Sequence, residues 1–142
     1  MDQYKPEYIN NIRIIPMEPD EETIEEIQSE YFEDRLPNDE VFYFCFGKGI
    51  NIEEDDLLLF QYSNHIVASA IGIKCNKTHG ELSKLFKHHI ILKTNSIKTF
   101  KPITQDELNV YIKRTLRNAP HFIKKNEVNN LTEFLDRLEE KR

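Results

Sequence analysis

Two apolar segments separated by only two residues constrain the fold of this chain more than any other feature of its sequence. Residues 57–62 and 65–73 are both long and apolar enough to be strands, and only Ser63 and Asn64 lie between them. A two-residue connection is the loop length of a tight antiparallel hairpin. The sequence therefore predicts that the two segments pair directly with each other, in a curved sheet that buries most of their side chains.

Short strand and helix candidates occupy the rest of the chain. Few of the strand candidates are separated by a helix, which argues against a doubly wound fold. We therefore predict a single α+β domain over residues 1–142, with a small, strongly bent mixed or antiparallel sheet or pseudo-barrel and flanking helices. The expected strands are 12–15, 41–46, 57–62, 65–73, 89–93 and 96–100. The expected helices are 20–32, 80–89, one that begins after Thr104 and ends before Pro120, and 131–141. Residues 34–39 are expected to form a loop, and Pro102 is expected to end the sheet region.

Composition restricts the class of protein further. The chain has 142 residues, of which 39% are hydrophobic, and only four glycines and six prolines, as expected for a globular chain with one packed core. It contains no run of about 18 apolar residues, the length needed to cross a membrane. Its first ten residues are polar, which predicts no secretory leader. Cys45 and Cys75 lie in apolar stretches, which indicates buried, reduced thiols and a cytoplasmic protein.

Charge is distributed unevenly along the chain. Residues 1–73 carry a net charge of −13, residues 74–125 carry +9, and residues 126–142 carry −2. A basic segment of this size is typical of a surface that binds a polyanion such as nucleic acid. The same pattern is also compatible with acidic and basic segments that pack against each other or lie on solvated faces.

The sequence contains none of the common catalytic or metal-binding motifs. Cys75 and His79 are four residues apart and His88 is adjacent to His89, but no CxxC or HExxH motif is present. There is also no glycine-rich phosphate loop and no GxSxG motif. We therefore predict no metal site, no cofactor and no catalytic residue, and the sequence favours a binding protein over an enzyme.

The hairpin and the segment that follows it resemble the PUA-like domains, above all their EVE and ASCH branches. Those families have a Gly-Asp turn, an apolar strand ending in aromatic residues, and a second strand of the type I-V-G-x-G-x-V. Here the corresponding segments are 54–56, 57–62 and 66–73. Residues 96–108 are similar to the late strand of the family and its P-I-x-x-E-L helix entry. The resemblance covers about residues 41–112.

This resemblance implies a pseudo-barrel that binds DNA or RNA and holds a modified or flipped base in an aromatic pocket, as in the recognition part of a defence or restriction system. A base reader needs aromatic planes, polar groups at the base edge and cations along the backbone. The residues expected to supply these are Tyr43, Phe46 and Tyr62 for stacking, Ser63, Asn64 and His65 for the base edge, and Lys48, Lys93, Lys98 and Lys101 for phosphates.

Two other functions remain open at the level of sequence. The first is an ASCH-like enzyme that acts on RNA or a nucleoside, for which a lysine or histidine bonded to a carboxylate inside the pocket would be the sign. The second is a protein-interaction domain that uses the acidic segment 20–33. A concave pocket with aromatic walls and a positive rim would favour nucleic-acid binding instead.

Overall fold

A computed structural model describes residues 3–18, 20–44 and 49–142. Seven strands form one mixed sheet in the spatial order β2-β5-β4-β3-β1-β7, and β6 pairs with β4. Among the described residues the sheet does not close on itself, because β2 and β7 stay at its two ends. The strands are β1 (Ile12–Pro16), β2 (Val41–Phe44), β3 (Asp56–Tyr62), β4 (His65–Lys77), β5 (His88–Leu92), β6 (Lys98–Ile103) and β7 (His121–Ile123).

The predicted hairpin is confirmed. Strands β3 and β4 pair antiparallel, with Tyr62 opposite His65 at the turn. Ser63 and Asn64 both have positive φ angles, 51° and 61°. Positive φ at both central residues is the geometry of a type I′ turn, whose twist matches that of the strands. Pairing with β5 extends β4 to Lys77, four residues beyond the predicted end.

The strained turn allows a test of the hairpin. The double substitution Ser63→Asn/Asn64→Gly creates the residue pair that type I′ turns prefer. Because a left-handed conformation costs an ordinary L-residue roughly 1–2 kcal/mol and glycine almost nothing, we expect a gain of about 1 kcal/mol in the free energy of unfolding. Chemical denaturation measures this gain. A loss of stability would contradict the observed turn geometry.

The mixed character of the sheet comes from β1, which pairs parallel with β3 and antiparallel with β7. The three-residue strand β7 was not predicted, since so short a segment carries little sequence pattern. Pro102 does not end the sheet, because it lies inside β6. Among the described strands, β6 is paired along one edge only, with β4, and a strand with an unpaired edge tolerates a residue without an amide hydrogen.

The acidic helix is longer than predicted. It consists of α1 (Ile24–Glu26), a π-helical stretch Ile27–Arg35 and α2 (Leu36–Asp39) in direct succession. Thr23 begins it with a capping box to Glu26. The loop predicted over residues 34–39 is therefore wrong. Pro37 lies where the π-helical stretch passes into α2, so the residue without an amide hydrogen falls at the change from one helical hydrogen-bond pattern to the other.

Two short helices lie before and after β7 in the chain. Helix α3 (Gln105–Tyr111) begins after Thr104, as predicted, and ends well before Pro120; the Thr104 hydroxyl accepts a hydrogen bond from the Glu107 amide at 3.2 Å. Helix α4 (Leu131–Arg137) confirms the predicted C-terminal helix and is shorter than expected. The Glu107 carboxylate pairs with Arg137 and so ties the two helices together. Short 3₁₀ turns complete the structure at Pro6–Tyr8, Glu81–Lys84 and Lys125–Glu127, the second of which is all that forms of the helix expected over 80–89.

Both faces of the sheet centre are buried, and every residue of β3 is buried. One face packs under the N-terminal segment, α3 and α4, and the other packs under the acidic helix. The apolar pattern of the sequence predicts seven core residues: Phe44, Leu58, Phe60, Val67, Ile71, Ile91 and Leu108. Ile91 is only half-buried, because it lies on a part of β5 whose outer face is open. The other six are buried as predicted.

The structure describes one of the two cysteines, Cys75. Cys75 is a free thiol that is half-buried against the acidic-helix side of the sheet, and burial raises its pKa. Cys45 lies outside the described residues. Within the described part of the chain, no helix combines the length and the apolar character needed to cross a membrane.

Candidate functional site

The predicted site residues do not meet in one pocket. Tyr43 and Tyr62 line a cavity of about 440 Å³ between the acidic helix and β2. Lys93 and Lys98 line a different cavity of about 820 Å³ beside the N-terminal segment. The predicted residues Phe46 and Lys48 lie outside the described residues.

Tyr62 is not an exposed residue at the rim of a pocket. Its side chain is 3% exposed, and its hydroxyl donates to the carbonyl oxygens of Asp20 and Glu22 at 3.1 and 2.5 Å. Burial raises the pKa of the phenol. The Tyr62 hydroxyl therefore does not face solvent, because the chain before the acidic helix folds over the end of β3. A buried, hydrogen-bonded tyrosine of this kind holds that chain segment in place.

The other residues of the turn are accessible, but their surroundings are acidic. Ser63 and Asn64 are exposed, and the His65 Nδ1 atom lies 2.7 Å from the Ser63 carbonyl oxygen. Ser63 and Asn64 line a small cavity together with Asp20, Glu22 and Arg117. Two carboxylates beside one guanidinium make this end of the molecule a poor surface for phosphate groups.

Two of the three described lysines from the prediction already have partners. Lys93 pairs with Asp55, and Lys98 pairs with Glu139 and also lies over the Tyr4 ring, 4.2 Å from its centroid. Lys101 is exposed. These lysines therefore do not form the continuous basic surface that the sequence analysis expected from them.

An open sheet surface with aromatic side chains lies elsewhere, on the outer face of β2, β5 and β4. The strand register places Tyr43, His89 and Asn76 side by side across the three strands. The Tyr43 ring packs against Phe86 and against His89, with ring centroids 5.6 Å apart in both pairs. All four side chains are half-exposed, whereas their neighbours Phe42 and Phe44 point to the opposite face and are buried.

Hydrogen bonding fixes part of this surface. The Thr78 hydroxyl lies 3.0 Å from the Nδ1 atom of His89, and Thr78 itself is buried. The Thr78 amide donates to the carbonyl oxygen of Lys87 at 2.9 Å, which joins the end of β4 to the start of β5. The aromatic side chains are therefore carried by a paired part of the sheet.

Exposed lysines occur on β4 and directly before β5. Residues 74–89 contain four lysines, three histidines and a single acid, Glu81, which pairs with Lys84 at 3.3 Å. No ion pair joins Lys74 or Lys87 to an acid of the described residues. Lys77 pairs with His88 in the strand register, so its side chain lies on the opposite face of the sheet, with Phe44. We call the combined surface the basic aromatic face; its members are Tyr43, Phe86, His89, Lys74 and Lys87.

Of these residues only Tyr43 was predicted from the sequence. Phe86 and His88 were assigned to a short helix that ended at His89, where the predicted strand 89–93 began, whereas β5 begins at His88. The sequence feature that could have indicated the face is the concentration of lysine and histidine over residues 74–89, around Phe86. The sequence does not show that this segment lies near β2, which ends about thirty residues earlier, because strand pairing brings the two together.

Within residues 3–18, 20–44 and 49–142, no group of three or more histidine, cysteine, aspartate or glutamate side chains is arranged to hold a metal ion. No protein-family model matches the chain, and neither a curated protein nor a solved structure matches it. The resemblance to PUA-like domains therefore stays a prediction.

Proposed function

We propose that the protein binds single-stranded or locally unpaired nucleic acid through the basic aromatic face. The observation that supports this most is the position of Tyr43, which packs against Phe86 and His89 on a half-exposed sheet surface that also carries Lys74 and Lys87. Surfaces that bind single strands combine aromatic rings, on which bases stack, with cations that follow the backbone. The basic aromatic face offers both within one surface.

The resemblance to PUA-like domains adds a narrower version of this proposal. In that version the bound base is modified or flipped, and the protein serves as the recognition part of a defence or restriction system, in DNA or in RNA. Stacking of the base on Tyr43 would be common to both versions. A binding screen with oligonucleotides that carry modified bases tests the narrower version separately.

Charge reversal tests the proposal without touching the core. We expect Lys74→Glu/Lys87→Glu to weaken the binding of an unmodified oligonucleotide at least about fivefold at low salt, because both lysines are exposed. The negative slope of log affinity against log salt should become less steep by about 1.4, since each phosphate contact on a single strand contributes about 0.7. Fluorescence anisotropy over a salt series gives both values.

The matched control is Lys5→Glu/Lys113→Glu, which changes the net charge equally at two exposed lysines away from the face. Its affinity and salt slope should stay close to those of the unmodified protein. Equal effects of the two double variants would contradict a localised site and indicate a general dependence on net charge.

The larger cavity supports a second candidate, an enzyme that acts on RNA or a nucleoside. Lys93 and Asp55 form an ion pair that lines this cavity beside Tyr4 and Tyr8. A cation bonded to a carboxylate inside a cavity is an arrangement that general acid–base chemistry uses. Mass spectrometry after incubation with modified nucleosides tests this candidate: turnover that Asp55→Asn abolishes supports it, and absence of product contradicts it.

A further inference from the structure

The cavity between the acidic helix and β2 shares Tyr43 and Phe86 with the basic aromatic face but carries the opposite charge. Its volume is about 440 Å³, and its inner wall is apolar, with Leu36 and Phe42 buried at its base and Tyr31 beside them. Its rim carries Asp20, Glu22 and Asp39. We call this cavity the acidic groove.

Negative charge dominates the acidic groove. Among the described residues that line it, the only cation is Arg35, whose guanidinium lies over the Tyr31 ring at 5.3 Å from the centroid. One carboxylate oxygen of Glu22 is buried and has no hydrogen-bond partner in the described structure. Burial raises the pKa of Tyr31, so its phenol stays neutral beside these acids. The groove therefore offers hydrogen-bond acceptors and negative charge next to an apolar wall, which suits a basic ligand.

Strand β2 adds backbone groups to the same groove. It is the terminal strand in the sheet order of the described residues, with β5 as its neighbour. The Leu92 amide donates to the Glu40 carbonyl oxygen at 3.0 Å, so Glu40 faces β5. Since backbone groups alternate in an antiparallel pair, the amides and carbonyls of Val41 and Tyr43 point to the open edge. Such an edge is a template for a further strand.

We infer that the acidic groove binds a basic, extended segment of another protein, which pairs with the open edge of β2. Lysine or arginine side chains of that segment would lie against Asp20, Glu22 and Asp39, while its apolar side chains contact the wall of the groove. Strand addition to a sheet edge is an established mode of peptide binding: backbone bonds contribute affinity and side-chain pockets contribute specificity. Nucleic acid does not fit this groove, since its phosphates would meet the acids.

The probe is a synthetic ten-residue peptide of alternating lysine and valine, blocked at both ends. We expect it to bind in calorimetric titration at low salt. Asp39→Asn/Glu22→Gln should reduce its affinity roughly fourfold to twentyfold, as removal of two exposed or half-exposed charge pairs predicts. Glu30→Gln/Asp34→Asn is the matched control on exposed positions of the same helix and should leave the affinity unchanged.

Two altered peptides test the charge contacts and the backbone pairing separately. A peptide with glutamate in place of lysine should not bind, and one methylated at alternate backbone nitrogens should bind much more weakly because it cannot pair with β2. Absence of binding by the lysine peptide, equal binding by the methylated peptide, or equal affinity of the Asp39→Asn/Glu22→Gln variant would each overturn the inference. Lys74→Glu/Lys87→Glu changes no residue that lines the groove and should keep full peptide binding, so failure of the nucleic-acid proposal and failure of this inference are distinguishable.

Discussion

Replacing Phe60 with alanine is expected to lower the free energy of unfolding by about 3–5 kcal/mol. Phe60 is completely buried on β3 at the interface between the sheet and the acidic helix. Its ring centroid lies 5.1 Å from that of Phe32 on the helix and 4.8 Å from that of Phe42 on β2. Truncation removes the contact that joins these three elements and leaves a cavity that neighbouring rings cannot fill without moving.

Chemical denaturation measures this loss, and Leu85→Ala serves as the control. Leu85 is 68% exposed, so its truncation should change the free energy of unfolding by no more than about 0.5 kcal/mol. If the two variants were equally stable, Phe60 would not occupy the packed interface described above.

Replacing Tyr43 with alanine is expected to weaken the binding of single-stranded nucleic acid about 5- to 150-fold, the range that corresponds to loss of one base–aromatic stack. Tyr43 is the residue through which Phe86 and His89 are joined into one aromatic surface. Because Tyr43 is half-exposed on the outer face of an edge strand, its loss should affect stability much less than the loss of Phe60. Anisotropy titration of a labelled oligonucleotide measures the affinity.

Two further variants identify the cause of that change. Tyr43→Phe keeps the ring and should retain most of the affinity if stacking dominates. Tyr62→Ala should behave in the opposite way, with lower stability and normal binding by the folded fraction, because the Tyr62 hydroxyl holds the backbone at Asp20 and Glu22. Normal nucleic-acid binding by Tyr43→Ala would contradict the proposed role of Tyr43.

The parts of the fold that sequence predicts well are those determined by local pattern. The hairpin of β3 and β4 follows from two apolar segments and a two-residue turn, and the start of α3 follows from Thr104, whose cap is observed. The bounds of the acidic helix were less predictable. Pro37 suggests a break, but the helix continues through it at the point where the π-helical stretch passes into α2.

The candidate site was predicted only in part because its residues are joined by contacts distant in sequence. The pattern around Tyr62 indicates a strand end, but its burial depends on the chain segment before the acidic helix, about forty residues away. Lys93 and Lys98 look available in the sequence, whereas the fold pairs them with Asp55 and Glu139. Tyr43 was identified, but its partners Phe86 and His89 come from the pairing of β2 with β5.

The most direct test of the basic aromatic face is a titration of the ¹⁵N-labelled protein with a short unmodified single-stranded oligonucleotide, followed by NMR amide shifts. We predict that the largest shifts fall in β2, in β5 and in residues 74–87, which together carry Tyr43, His89 and the exposed lysines. Shifts concentrated at Ser63, Asn64 and His65, or the absence of any shift at low salt, would contradict the account.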